Sequence, residues 1–152
     1  MTERLKAFAD SRDFERTKQR ALDILKEAKE QSESGKIGFV SGVIKSEGSV
    51  YLVRNIKNLA RYTRFIKRNV DYPVFCALDF IESEAAFRLL PKPPAGREEL
   101  SQRFWREILE SGYITDVFMT PQWELSKGAT NEYQTAKRLN LRIHQVVRKS
   151  SN

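Results

Sequence analysis

At 152 residues the chain is the size of one domain with a single core. Its 40% hydrophobic and 31% charged residues exclude a disordered polymer, and no apolar run approaches the roughly 20 residues of a membrane-spanning helix. A formal charge of +7 points to anionic partners, while a single histidine, His144, and a single cysteine, Cys76, exclude an intrachain disulfide and a zinc site built from this chain alone. Met1 to Leu5 mixes charges with no apolar segment behind it, so no signal peptide is read there and the cytoplasm is the expected compartment. Between Met1 and Gly35 eight basic and eight acidic residues cancel, and the surplus lies in Arg54 to Arg68 and Lys137 to Lys149.

The spacing of Phe14, Ala21, Leu25 and Ala28 predicts a helix over Asp13 to Gln31, with Asp13 as N-cap and the Ser32 to Gly35 stretch ending it. This segment, 1–35, reads as a helical appendage packed on the core or on a second subunit. From Lys36 to Ile44 a near-continuous apolar run suits a parallel strand buried on both faces. The loop Lys45 to Ser49 leads into a helix over Leu52 to Arg68. There Leu52, Ile56, Leu59, Thr63 and Ile66 share one face, and Arg54, Lys57, Arg61, Arg64 and Arg68 the other. Pro73 to Phe80 is the second strand. Ile81 to Gly96 is irregular, since Pro91, Pro93 and Pro94 prevent a long helix. Arg97 to Ser111 is a helix burying Leu100, Phe104, Trp105 and Ile108, with Gly112 as its natural C-cap. Ile114 to Met119 is a third strand, Ser126 to Leu139 a turn and helix, and Leu141 to Val147 a fourth strand.

Strands alternating with helices define an α/β class: a Rossmann-like three-layer sandwich over 36–152, with a parallel sheet of four to five strands in the order 2-1-3-4 and an added N-terminal helix. Ligands in such sheets sit beyond the C-terminal strand ends. That rule singles out Gly42 to Gly48, Asp79 to Glu82 and Thr120 to Glu132.

Ser41-Gly42-Val43-Ile44-Lys45 joins a strand to a helix. Glycine lets backbone N–H groups approach a phosphate and Lys45 adds charge, although an ordinary strand-to-helix turn looks the same. Trp123-Glu124-Leu125-Ser126-Lys127-Gly128-Ala129-Thr130-Asn131-Glu132 follows a strand and opens a helix. This puts Glu132 in or near the first turn, beside a polar cradle formed by Ser126 and the unpaired N–H groups. A carboxylate so placed can attack an anomeric carbon, and equally can be a solvent-facing glutamate where glutamates are favoured anyway.

The stretch Asp116-Val117-Phe118-Met119, Trp123, Ser126-x-Gly128-x-x-x-Glu132 and Ala136, together with Phe39-Val40-Ser41-Gly42-Val43-Ile44-Lys45, resembles the nucleoside 2-deoxyribosyltransferase-like superfamily. Within it the 2'-deoxynucleoside 5'-phosphate N-hydrolases, and a related branch sharing the Trp123 and Ser126 pattern, are most similar. The resemblance runs from about Lys36 to Val147. It implies Glu132 as nucleophile, Ser126, Lys45 and the Gly42 loop with Ser41, Ile44 and Gly128 around a 5'-phosphate, Phe39 where the relatives often carry a tyrosine, and Trp123 bordering the base. It also implies a nucleoside monophosphate as substrate, no metal or organic cofactor, and, with the helical appendage, a homodimer. The family's further acid, in the helix before the third strand, has no clean match. Glu107 is the nearest candidate and Asp79 the second.

Trp123 can stack on a base or cap the core. Cys76 reads as a small buried hydrophobe and His144 as a structural residue without an evident partner. The Arg54 to Arg68 stripe, with Phe65 beside it, suits either a nucleic-acid backbone or a solvated outer face, and Phe65 also suits a dimer contact.

Overall fold

A computed structural model describes residues 11–42, 52–80 and 100–147. In chain order these form α1 (Ser11–Gln31), β1 (Gly38–Ser41), α2 (Leu52–Asn69), β2 (Val74–Cys76), α3 (Leu100–Glu110), β3 (Asp116–Met119), α4 (Lys127–Arg138) and β4 (Arg142–Gln145). Single 3-10 turns follow β2, at Ala77–Asp79, and precede α4, at Trp123–Leu125.

The four strands are parallel and ordered β2-β1-β3-β4, the order that right-handed crossovers predict from the sequence. Alternation along β1 assigns the two faces. Val40 points to α2 and packs with Leu59, Ile66, Val74, Cys76 and Phe118. Phe39 points the other way, into the larger cluster shared with Phe14, Leu25, Phe104, Trp105, Ile108, Val117, Met119 and Ala136. Among the described residues α2 therefore covers one face, and α3 and α4, with α1 lying against α3, cover the other. Both central strands are buried along their whole length, as their unbroken apolar runs require, whereas β4 at the edge is largely exposed.

α1 belongs to this core. Phe14, Ala21 and Leu25 are almost fully buried, and the Phe14 ring meets that of Phe104 edge-on at 5.8 Å. Around this contact Lys18 Nζ lies 3.0 Å from Glu107 Oε1, and Arg103 Nε 2.6 Å from Glu107 Oε2.

Local chemistry adjusts several element ends. Asp13 lies inside α1, which is already helical at Ser11, and so is not its N-cap. The second strand stops at Cys76 instead of reaching Phe80. Asp79 Oδ2 accepts the Cys76 backbone N–H at 2.8 Å and turns the chain into a 3-10 helix. β1 and β3 are likewise shorter than their apolar runs, since burial continues past the ladder at Ile37 and Gly42 and at Ile114 and Thr120, and β4 ends at Gln145 with Val147 exposed. Gly112 adopts φ +87°, the left-handed conformation that ends α3. The irregular segment expected at Ile81 to Gly96 lies outside the described residues, as do Ile44 and Lys45.

Candidate functional site

The C-terminal ends of β1 and β3 meet at Ser41 and Thr120. Thr120 donates both its backbone N–H, at 2.9 Å, and its hydroxyl, at 3.2 Å, to the Ser41 carbonyl. Gly42 follows directly, so close to Thr120 that a Cβ there would collide with the Thr120 hydroxyl. The backbone thus leaves β1 through a slot that only glycine fits.

From the β3 side the chain passes Gln122, held at φ +66°, into the 3-10 turn at Trp123–Leu125. Ser126 then caps α4: its Oγ accepts the Ala129 N–H at 3.1 Å, and its carbonyl accepts the Thr130 N–H at 2.9 Å. Helix α4 begins at Lys127, so Glu132 lies in the second turn and not in the first, where the helix dipole would act on it most strongly. What distinguishes Glu132 is its face. It shares the inward stripe of Ala129, Thr135 and Ala136, all buried, and is itself 8% exposed. The alternative of a solvent-facing glutamate is therefore set aside. A carboxylate at a core-facing position is costly to desolvate unless it is hydrogen-bonded. Ser41 meets that need, its Oγ–H donating to Glu132 Oε2 at 2.9 Å across 91 residues of sequence. Beside it, Asn131 Nδ2 is buried without a hydrogen-bond partner among the described residues.

The structure brings Ser41, Gly42, Ser126, Gly128 and Glu132 to one edge of the sheet; a Cβ on Gly128 would stand 3.9 Å from Ser126 Oγ. It does not bring the two proposed acids to Glu132. Glu107 is held by Lys18 and Arg103 on the α1 side. Burial works to raise its pKa, but the hydrogen bonds and charges of Lys18 and Arg103 prevail and lower it. Asp79 is engaged with the Cys76 N–H at the far side of β1. Phe39 is 1% exposed and tilted against Trp105 at 5.7 Å, so it is a core residue and not a ligand contact. Trp123, half-buried, stacks on Tyr133 at 4.5 Å and donates its Nε1–H to Gln145 at 3.0 Å. This aromatic pair is packed on the core and borders the Ser126 turn.

Sequence reasoning included Thr120 and Asn131 only as members of the stretch Thr120 to Glu132, with no role of their own, and left out Tyr133. Thr120 was within reach, since it ends a strand opposite a strand–glycine junction. The Tyr133 stack depends on a tertiary contact that periodicity does not encode. His144 does have a partner. Its Nε2–H donates to the buried Asp116 at 2.8 Å, and its ring stacks on Phe118 at 4.5 Å. This pair lies where β3 begins, at the opposite end of the sheet.

Fold and site together define a parallel α/β domain with a buried carboxylate at the C-terminal sheet edge. Compared with protein-family models, curated proteins and solved structures, the chain matches none. The described helices include none long and apolar enough to cross a membrane.

Proposed function

We propose that the chain hydrolyses the N-glycosidic bond of a nucleoside 5'-monophosphate, a deoxynucleotide by preference, with Glu132 as nucleophile. The observation that carries this reading is the buried Glu132 carboxylate held by Ser41 at the sheet edge where α/β domains bind ligands. A Glu132 oxygen attacks C1'. The C1'–N bond breaks with its electron pair on the base, which takes up a proton. Water then attacks C1' of the glycosyl ester, giving sugar 5'-phosphate and restoring the carboxylate. Ser126, Gly128 and the Gly42 turn, with Ile44 and Lys45 beyond it, hold the phosphate, and Trp123 with Tyr133 borders the base. Glu107 is held by Lys18 and Arg103, and Asp79 by the Cys76 N–H, so protonation of the base is assigned to solvent or to the substrate's own groups.

Chromatography of free base released from a panel of natural and base-modified nucleoside monophosphates tests the proposal. Glu132→Gln is expected to abolish release. Ser41→Ala removes a hydrogen bond to a charged group, in the range of about 1.5–3 kcal/mol, and should lower kcat/KM about 10- to 150-fold. The engagement of both other acids elsewhere favours a second reading, a nucleotide-binding protein without turnover. Saturable thermal stabilisation by a nucleotide with no base released, even on long incubation, would establish that reading against hydrolysis.

A further inference from the structure

Helix α2 carries six lysines and arginines and no acid, so that of the chain's formal charge of +7 the rest of the sequence contributes only +1. All six, Arg54, Lys57, Arg61, Arg64, Lys67 and Arg68, are exposed. At 3.6 residues per turn, all but Lys67 fall within an arc of about 80°, in a row about 21 Å long.

Several cations of the other helices face acids. Lys18 and Arg103 pair with Glu107, and Arg106 and Arg138 with Glu110, each within ion-pair distance. On α2 the neighbours at i+3 and i+4 are instead like charges, Lys57–Arg61, Arg61–Arg64 and Arg64–Arg68, which destabilise an isolated helix. A solubilising face needs no such alignment, since interspersed signs would serve as well.

We infer that the outer face of α2 is a docking surface for the phosphodiester backbone of a nucleic acid, engaged without reading bases. Four of the six cations are arginines, whose planar fork matches a phosphate bidentately. An anionic membrane is the weaker match. An interfacial helix must bury an apolar face in lipid, and here Leu59 and Ile66 are committed to the sheet with Val40, Val74 and Phe118. The inference stands apart from the glycosidase reading, because the row lies on the helix opposite α4.

The test is fluorescence anisotropy of a labelled DNA duplex titrated with the full chain at several salt concentrations, beside co-sedimentation with phosphatidylserine vesicles. Five phosphate contacts give a slope near −4.5 in log K against log salt, an affinity loss of about 500-fold between about 50 and 200 mM. The triple substitution Arg61→Gln, Arg64→Gln and Arg68→Gln should bring that loss to roughly tenfold, while the same three positions changed to Lys keep the steep slope. All three side chains face solvent, and circular dichroism of both variants checks that the fold is retained. Glu132→Gln should bind the duplex as the parent does. The inference is overturned if the duplex does not bind at the lower salt, if the glutamine variant keeps the parent slope, or if vesicles sediment the protein while the duplex leaves it free.

Discussion

Gly42 has no room for a side chain, because the Thr120 hydroxyl that donates to the Ser41 carbonyl already fills the space. Gly42→Ala must therefore push Thr120 off its two contacts with Ser41, an overpacking cost of about 1–3 kcal/mol. The expected result is a lower thermal midpoint, with part of the loss recovered in the Gly42→Ala/Thr120→Ala double variant. Equal, additive losses would mean that the two residues do not share the slot. The residues of this edge were legible to different degrees. Ser41, Gly42, Ser126 and Glu132 could be picked out because each stands at a strand end or a helix start, positions that hydrophobic periodicity delimits. The turn occupied by Glu132 could not, since it depends on where Ser126 caps the helix, and the partners of Asp79 and Glu107 could not, since carboxylates report nothing about what lies opposite them.

At the scale of elements, the β3–β4 pair shows how a strand join becomes sensitive to acid. Asp116 opens β3 almost fully buried, accepting from Thr115 Oγ1 at 2.6 Å and from His144 across the strands. Burial works to raise its pKa, but the hydrogen bonds from Thr115 and His144 and the charges of His144 and Lys36 outweigh it and hold the carboxyl below the ordinary aspartate range. Glu107, tied to α1 by Lys18 and paired with Arg103 of its own helix, is lowered in the same sense. A carboxyl with a depressed folded-state pKa stabilises fully above its unfolded value, and this contribution disappears as pH falls through the folded one. Asp116→Asn should therefore lose stability to urea at neutral pH and show a flatter fall from about pH 5 downwards. A deficit that stays constant to pH 2 would refute this linkage. The sequence offered Asp116 and His144 as separate polar residues on neighbouring strands; the pair exists only because Phe118 and His144 stand opposite each other in register. Strand lengths were legible as apolar runs but came out long, because a run records burial and not pairing, and the Asp79 turn that cuts β2 short is a side-chain effect.

At the scale of the whole molecule, alternation of strands and helices sufficed for the parallel order, since handedness leaves few ways to lay four strands. The place of α1 was less legible, as an amphipathic helix reads alike on its own core and on a partner. Here it is joined to α3 through Phe14, which also lies beneath the Arg103 guanidinium at 4.6 Å from the ring centroid. Phe14→Ala should cost about 3–5 kcal/mol and lower the thermal midpoint of the entire unfolding transition by roughly 10 °C. A shift of a degree or two, or a separate early transition, would mean that α1 unfolds apart from the sheet.

The link between α1 and α3 has a consequence in time. Lys18 and its partner Glu107 are 89 residues apart. A ribosome adding about 5–20 residues per second therefore needs roughly 4–18 s after making one to supply the other. For that interval the apolar side of α1, with Phe14, Ala21 and Leu25, lacks the part of its core that α3 supplies, Phe104 and Ile108 among it. Lys18 and Phe14 of α1 thus wait for Glu107 and Phe104, and the contact between the two helices forms only after α3 has been made.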